Sequence, residues 1–171
     1  VYKRQGKKLE FSGQQHTAIP TASTREIRQA SRAIQGANKA VMIIGSQALL
    51  DPSTAPDLVA AVESLEIPVF LSGMARGLLG RNHVLQYRHK RRLALKEADL
   101  VILCGVPCDF RLSYGRHLRH TKVISINRSR EDLYRNRRPN IPILADPQDT
   151  IIQIAKTSSY PKNNAWHDSL R

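Results

Sequence analysis

Three short apolar runs, each followed by glycine, constrain the fold of this chain more than any other feature. The runs and their glycines are residues 39–44 with Gly45, residues 67–71 with Gly73, and residues 99–104 with Gly105. Apolar and polar residues do not alternate within these runs, so the strands that they form are expected to be covered on both faces. Such coverage is typical of a parallel sheet with helices on either side. Residues 122–126 and 141–144 predict two further strands.

Helical patterns lie between the predicted strands. Ser23 and Glu26 have the spacing of a capping box, and apolar residues recur at helical intervals from there up to Gly36. The other predicted helices cover residues 51–65, residues 88–98 with Leu93 and Leu95 inward, residues 131–134 and residues 148–156. Strands that alternate with helices predict an α/β fold of three layers, with right-handed crossovers between parallel strands.

Length and composition are those of one domain. The chain has 171 residues, and 41% of them are apolar, which is enough to form a core. Residues 1–21 and 158–171 are polar and lack periodicity, so we interpret them as linkers around a domain at residues 22–157. Because the sequence begins at Val1 and both ends are polar, we expect it to be an excerpt of a longer protein, with the second linker leading towards another domain.

The chain is strongly basic, with a formal net charge of +13. The cations concentrate in residues 3–8, 88–92, 116–122 and 128–138. Such an excess favours a polyanionic partner, which can be nucleic acid, an anionic membrane surface or a phosphorylated ligand. Aromatic residues make up only 5% of the chain, which disfavours a stacking surface for single-stranded nucleic acid.

Neither a membrane span nor a disulfide framework is indicated. No window approaches the roughly 18 apolar residues of a spanning helix, so any anchor is expected outside this sequence. Cys104 and Cys108 are too few for a disulfide framework, which favours a reduced, intracellular setting. The histidines are scattered or lie among arginines, so a metal site is not expected.

The glycines that follow the strands predict a ligand site. In a parallel sheet, ligands bind beyond the carboxyl ends of the strands, so Gly45, Gly73, Gly105 and Asn127 are expected to share one edge. The loop 71–80 resembles a ligand-facing turn, although glycines of this kind also occur in plain turns. Two arginines are candidate partners for an anion: Arg76 and Arg111, the second of which Asp109 could instead hold in an ion pair.

Motifs of common enzyme classes are absent from the sequence. It contains no G-x-G-x-x-G fingerprint, no P-loop and no G-x-S-x-G elbow, which disfavours an ordinary NAD dehydrogenase, ATPase or serine hydrolase. Ser46 and Ser72 are interpreted as turn residues, and Cys104 as an inert thiol inside a strand. A complete active site is therefore not expected within this sequence.

Three segments carry a resemblance to a known family. Residues 45–50 (GSQALL), residues 73–83 (GMARGLLGRNH) and residues 108–116 (CDFRLSYGR) resemble the central domain of thiamine diphosphate-dependent enzymes. The resemblance extends over residues 37–155 and is strongest towards the acetolactate synthase-like branch that includes 2-hydroxyacyl-CoA lyases. It implies a Rossmann-like domain with a parallel sheet of about six strands, of the type that binds NAD or FAD in other proteins.

The resemblance also implies where the chemistry resides. In this family, flanking domains of the same chain hold thiamine diphosphate and Mg²⁺, so no catalytic residue is assigned here and the domain alone is expected to be non-catalytic. The full-length enzyme is expected to cleave a 2-hydroxyacyl-CoA, to form a homo-oligomer and to associate with the endoplasmic reticulum membrane through a segment outside this sequence. Matching the motifs places these residues at a nucleotide such as CoA, ADP or FAD: Gly45, Ser46, Gly73, Met74, Arg76, Gly105, Phe110, Arg111, Asn127 and Asp146.

One departure from the family pattern concerns the choice of nucleotide. Relatives that bind FAD or ADP usually carry Asp after the fourth strand, where this chain has Asn127, Arg128 and Ser129. The loss of an acid that accepts hydrogen bonds from a ribose disfavours FAD, and Arg128 favours an additional phosphate such as that of coenzyme A. A basic module for nucleic acid or an anionic membrane is the alternative function.

Overall fold

The structure is a computed structural model that describes residues 18–171. Its centre is a parallel sheet of five strands in the order β2-β1-β3-β4-β5. The strands are β1 Ala40–Ile44, β2 Val69–Leu71, β3 Leu100–Cys104, β4 Lys122–Asn127 and β5 Ile141–Leu144. The α/β class and the parallel sheet are therefore confirmed.

Six α-helices accompany the sheet within the described residues. They are α1 Thr24–Gln35, α2 Ala55–Leu65, α3 Arg91–Glu97, α4 Arg130–Tyr134, α5 Pro147–Thr157 and α6 Asn164–Leu170. The predicted capping box begins α1, because the Ser23 hydroxyl accepts from the Glu26 N–H and the Glu26 carboxylate accepts from the Ser23 N–H. None of these helices is both long and apolar enough to cross a membrane.

Apolar side chains cover both faces of the sheet, which explains why the strands lack alternation. On one face, Met42 and Ile44 belong to a core shared with α1, α2 and α5. On the other, Val41 and Ile43 belong to a second core that includes side chains of α3 and α6. The two cores make the fold a helix–sheet–helix sandwich, as predicted.

The sheet has five strands, where the resemblance implied about six. Beyond β2, residue Gln86 forms a single parallel bridge to Val69. The Val69 N–H donates to the Leu85 carbonyl, and the Tyr87 N–H donates to the Val69 carbonyl, at 2.8 Å each. The chain turns away into α3 after this bridge, so the edge of the sheet carries one pairing instead of a full sixth strand.

Two local predictions need correction. The helix predicted over residues 88–98 begins at Arg91, because Lys90 adopts a left-handed backbone conformation with φ 56°. The Leu93 side chain is partly exposed and does not point inward, whereas Leu95 is buried as predicted. The first turn of α3 therefore faces solvent with its arginines.

The described part of the terminal segments shows one docked helix. Helix α6 places Trp166 and Leu170 in the second core, and the Trp166 indole N–H donates to the Ala40 carbonyl at 2.9 Å. Residues 1–17, which include most of the predicted first linker and the basic cluster at 3–8, lie outside the described residues. The domain limits at 22–157 and the two linkers stay predictions.

Candidate functional site at the carboxyl edge of the sheet

The strand ends predicted to lie together share one edge, which we call the rim. In the register of the parallel strands, Ile44 at the end of β1 pairs with both Leu71 and Cys104, and Cys104 pairs with Ile126. Hydrogen bonds continue the ladder beyond the strands, since the Gly45 N–H donates to the Cys104 carbonyl at 2.8 Å and the Gly105 N–H to the Ile126 carbonyl at 2.9 Å. The predicted meeting of these glycines is thus confirmed.

The glycines at the rim are required by contacts within the protein itself. A Cβ at Gly45 would lie 2.5 Å from the Gly105 carbonyl oxygen, and a Cβ at Gly105 would lie 2.7 Å from the Ala48 nitrogen. Gly105 also has a φ of 66°, a region that favours glycine. The close approach predicted here for a ligand is made by the neighbouring loop, so packing of the rim accounts for both glycines.

Ser46 connects the loops that follow β1 and β2. Its Oγ accepts a hydrogen bond from the Met74 N–H at 3.2 Å. Met74 is 63% exposed, and the nearby Arg76 is exposed as well. Met74 and Arg76 are therefore exposed at the β2 end of the rim.

Gln47 is a rim residue that the sequence prediction did not include. Its amide oxygen accepts from the Arg128 N–H at 2.9 Å, and its amide nitrogen donates to the Asp132 carboxylate at 3.0 Å. Gln47 thereby ties the loop after β1 to the loop after β4, across the end of β3. Its position directly after the glycine and serine of residues 45–46 was the available signal.

The predicted pairing of Asp109 with Arg111 is present. The Arg111 Nε donates to both Asp109 oxygens at 3.1 and 3.0 Å, and Nη2 donates to Oδ2 at 2.6 Å. Burial raises the pKa of Asp109, but the hydrogen bonds and charge of Arg111 outweigh burial and hold that pKa below its ordinary value. Phe110 between them is 69% exposed, and its ring lies 5.8 Å from the Arg111 guanidinium carbon. Arg111 therefore reaches the rim with its charge already paired.

Asn127, Arg128 and Asp146 form the β4–β5 side of the rim. The fully buried Asn127 donates to the Ser125 hydroxyl at 3.0 Å, while its amide oxygen has no partner among the described residues. Arg128 forms an ion pair with Asp146, whose other oxygen accepts from the Asp149 N–H and caps α5. The arrangement leaves one unpartnered acceptor and a neutralised cation on this side of the rim.

A basic pocket adjoins the rim at the outer edge of β2. Four arginines, Arg76, Arg88, Arg91 and Arg92, line this cavity of about 520 Å³, which we call the arginine pocket. The sequence indicated a basic run at residues 88–92. This run lies beside Arg76 because the bridge at Gln86 brings the two segments together. Of the predicted site residues, only Arg76 lines this pocket.

Neither thiol of the described residues is activated, and these residues contain no cluster that could hold a metal. Burial raises the pKa of both thiols, to about 11 for Cys108 and above the usual range for Cys104, which confirms Cys104 as inert. Within residues 18–171 no three His, Cys, Asp or Glu side chains are grouped so as to hold a metal ion. The described residues therefore do not fit a thiamine diphosphate–Mg²⁺ centre. Binding by the predicted rim residues stays a prediction.

Comparison with known proteins assigns the family. A bovine protein named 2-hydroxyacyl-CoA lyase 2 is 54% identical over 119 residues, which cover 69% of this chain and 19% of the relative. A Caenorhabditis elegans protein of the same name is 46% identical over 163 residues, which cover 91% of this chain and 26% of the relative. A probable acetolactate synthase of Mycobacterium bovis is 36% identical over 98 residues, 57% of this chain and 18% of the relative.

The chain thus spans about a fifth to a quarter of the length of the curated relatives it matches. Residues 27–154 match the family model described as thiamine pyrophosphate enzyme, central domain. This match runs from within α1 to within α5 and includes all five strands. The chain therefore belongs to the thiamine pyrophosphate enzyme family, and residues 27–154 are the central domain of such an enzyme.

Proposed function

We propose that this chain is the central domain of a thiamine diphosphate-dependent lyase that acts on 2-hydroxyacyl-CoA. The observation that carries the proposal is the identity of 54% to a relative named 2-hydroxyacyl-CoA lyase 2, against 36% to the acetolactate synthase. The lyase relatives also align over more of the chain, up to 91%. The reaction cleaves a 2-hydroxyacyl-CoA to formyl-CoA and an aldehyde shortened by one carbon.

The central domain contributes no reacting group to this reaction. In this proposal thiamine diphosphate and Mg²⁺ are held by flanking domains, and the described residues contain no group of three His, Cys, Asp or Glu side chains that could hold the metal. The cofactor acts as an electron sink for the cleavage.

The proposal includes assembly as a homo-oligomer and association with the endoplasmic reticulum membrane. Size-exclusion chromatography with light scattering tests the first, and cell fractionation tests the second.

We propose further that the rim binds the nucleotide part of coenzyme A. The buried Asn127 amide oxygen, which lacks a partner among residues 18–171, supports this role because an amide oxygen is an acceptor suited to a ribose hydroxyl or an adenine amine. Met74 and Phe110 are exposed apolar surfaces for a base on the same edge. Asn in place of Asp disfavours FAD.

The activity is tested with the purified full-length enzyme that contains this domain, thiamine diphosphate and Mg²⁺. We expect formyl-CoA and aldehyde from a 2-hydroxyacyl-CoA, measured by liquid chromatography with mass spectrometry, and little acetolactate from pyruvate. The reverse preference would overturn the lyase assignment in favour of a synthase. Protein without added cofactor is the control.

Calorimetry with CoA, ADP and FAD tests the rim. We expect CoA to bind more tightly than FAD, and Asn127→Ala to weaken CoA binding about three- to tenfold, the value of one hydrogen bond. Ser125→Ala is the matched control, since it removes the partner of the Asn127 amide nitrogen and leaves the amide oxygen in place. Equal CoA affinity in wild type and Asn127→Ala would contradict the proposed contact.

A further inference from the structure

The arginine pocket differs from the rim in how its cations are balanced. The rim arginines, Arg111 and Arg128, each pair with a carboxylate. The lining of the arginine pocket contains no Asp or Glu, and none of its four arginines forms an ion pair with a residue of the described chain. Four positive charges therefore face one cavity without a protein anion.

Neutral oxygens hold two of these arginines in place. Arg88 donates to the Arg81 carbonyl at 3.2 Å, and the Gln86 amide, oriented to satisfy both of its ends, accepts from Arg88 at 2.6 and 2.9 Å. Arg91 donates to the Arg111 carbonyl at 3.0 Å. These contacts orient the guanidinium groups but leave their charge available, which is the arrangement that favours an anion.

The remaining two arginines are not committed to structure. Arg76 and Arg92 are exposed, and neither side chain makes a hydrogen bond to another described residue. Arg76 comes from the loop after β2, and Arg92 from the first turn of α3. Two elements distant in sequence thus present free guanidinium groups to the same cavity.

The shape of the cavity favours a small molecule over a polymer. Its volume of about 520 Å³ lies in the range of ligand pockets, and its lining includes the buried Phe70 and Tyr87, whose ring centroids are 6.2 Å apart. A nucleic-acid duplex or a membrane surface is bound by cations that are spread over an open face, whereas these four arginines line a single cavity. A compact anion with two or more charges matches the site.

We infer that the arginine pocket is a binding site for the phosphate groups of a small molecule, such as a diphosphate or a phosphomonoester. It is separate from the rim contacts proposed above and adjoins them at Arg76. In this proposal the phosphates contact the four lining arginines, Arg76, Arg88, Arg91 and Arg92. A nucleotide or coenzyme on the rim and a free phosphate compound are the two sources of this chemistry.

Pyrophosphate binding to the purified protein tests the site. We expect binding by calorimetry, and a loss of affinity on the order of tenfold or more in the double variant R76Q/R92Q, which removes two charge-assisted contacts. The matched control R25Q/R28Q removes the same charge from the exposed face of α1, on the opposite side of the sheet. It is expected to bind pyrophosphate within about twofold of wild type, since distant surface charges are screened.

Competition separates the sources of the phosphate. If CoA or 3′,5′-ADP displaces pyrophosphate and R76Q/R92Q weakens all of them, the pocket serves a coenzyme; if only pyrophosphate responds, it serves a free phosphate compound. Equal affinity in R76Q/R92Q and wild type, or an equal loss in R25Q/R28Q, would overturn the inference. Displacement by RNA or anionic vesicles at lower concentration than pyrophosphate would also overturn it, in favour of a macromolecular surface.

The proposal for the arginine pocket and the proposal for the lyase function can be refuted independently of each other. Absence of lyase activity with pyrophosphate binding still dependent on Arg76 and Arg92 would leave the pocket in place and refute the function. Lyase activity without such binding would refute the pocket alone. Circular dichroism of both double variants checks that the fold is retained, and their exposed positions predict that it is.

Discussion

Gly73 and Ser46 lie so close together that a Cβ at position 73 would be 2.2 Å from the Ser46 Oγ. The same Oγ accepts the Met74 N–H, and Gly73 has a φ of 58°, a conformation that L side chains rarely adopt. The loops after β1 and β2 therefore meet through the one residue type that fits. The glycine of the 73–83 motif is explained by this contact.

Gly73→Ala is expected to lower the free energy of unfolding by about 3 kcal/mol, from the left-handed backbone and the clash with Ser46 together. Urea unfolding followed by circular dichroism measures the loss. Gly77→Ala is the control, because a Cβ there would meet no atom within 4 Å, and a change within about 0.5 kcal/mol is expected. Equal losses at the two positions would show that Gly73 is not constrained.

Gln47→Glu tests the amide that spans the rim. The introduced carboxylate would face Asp132, which now accepts from the Gln47 amide nitrogen at 3.0 Å. We expect a loss of about 1–3 kcal/mol in the free energy of unfolding at pH 7. Repulsion from Asp132 raises the folded-state pKa of the introduced acid. The loss of stability relative to wild type is therefore smallest near pH 4, which is about the pKa of glutamate in the unfolded chain, and it grows as pH rises through the folded-state pKa.

The matched control for this change is Gln29→Glu on the exposed face of α1. The charge change is the same, but the exposed Gln29 side chain makes no hydrogen bond to a carboxylate of the described residues, and an effect within about 0.5 kcal/mol is expected. A pH-independent loss at Gln47 would instead indicate that packing, and not the hydrogen bond to Asp132, is what the side chain provides.

Much of the fold could be predicted because its signals are local. Apolar runs such as residues 99–104 predict buried strands, and Ser23 with Glu26 predicts the start of α1, since strand burial and helix capping depend on neighbouring residues. The reduction of a sixth strand to one bridge at Gln86 could not be predicted, because it depends on how Lys90 turns the chain into α3.

The site was predictable in position but not in its contacts. Residues that follow parallel strands must share an edge, so Gly105 and Asn127 were placed correctly. Which partner each side chain takes depends on loops that meet only after folding. Gln47 crosses the rim to Arg128, and Arg76 joins a basic run more than ten residues away; neither contact leaves a periodic signal in the sequence.

Asp109→Asn tests the ion pair with Arg111. The folded-state pKa of Asp109 is lowered, so its contribution is fully present above the unfolded value of about 3.9 and is lost as pH falls through the folded value. The Arg111 side chain is 38% exposed, so solvent screens the pair and we expect a difference of about 1 kcal/mol at pH 7. Urea unfolding at several pH values measures it.

For the Asp109 prediction, the control is Asp168→Asn. Asp168 pairs with Arg171 at 3.0 Å, but both side chains are about two-thirds exposed, and little or no change is expected. A difference between wild type and Asp109→Asn that persists unchanged below pH 3 would contradict the ionic origin of the effect.

Trp166→Ala tests whether α6 is part of this domain. Trp166 is 2% exposed in the second core, and its indole N–H donates to the Ala40 carbonyl on β1. We expect a loss of about 3–5 kcal/mol in the free energy of unfolding, as for other buried aromatic truncations.

Trp166→Phe keeps most of the packing but leaves the Ala40 carbonyl unpaired, and a loss of about 1–2 kcal/mol is expected. Because Trp166 is the single tryptophan of the sequence, circular dichroism must replace fluorescence as the readout. If Trp166→Ala unfolds at the same urea concentration as wild type, α6 does not stabilise the sandwich and residues 158–171 act as a linker. A core residue stabilises only the unit with which it unfolds. A large loss in the free energy of unfolding would therefore show that the cooperative unit extends to Leu170.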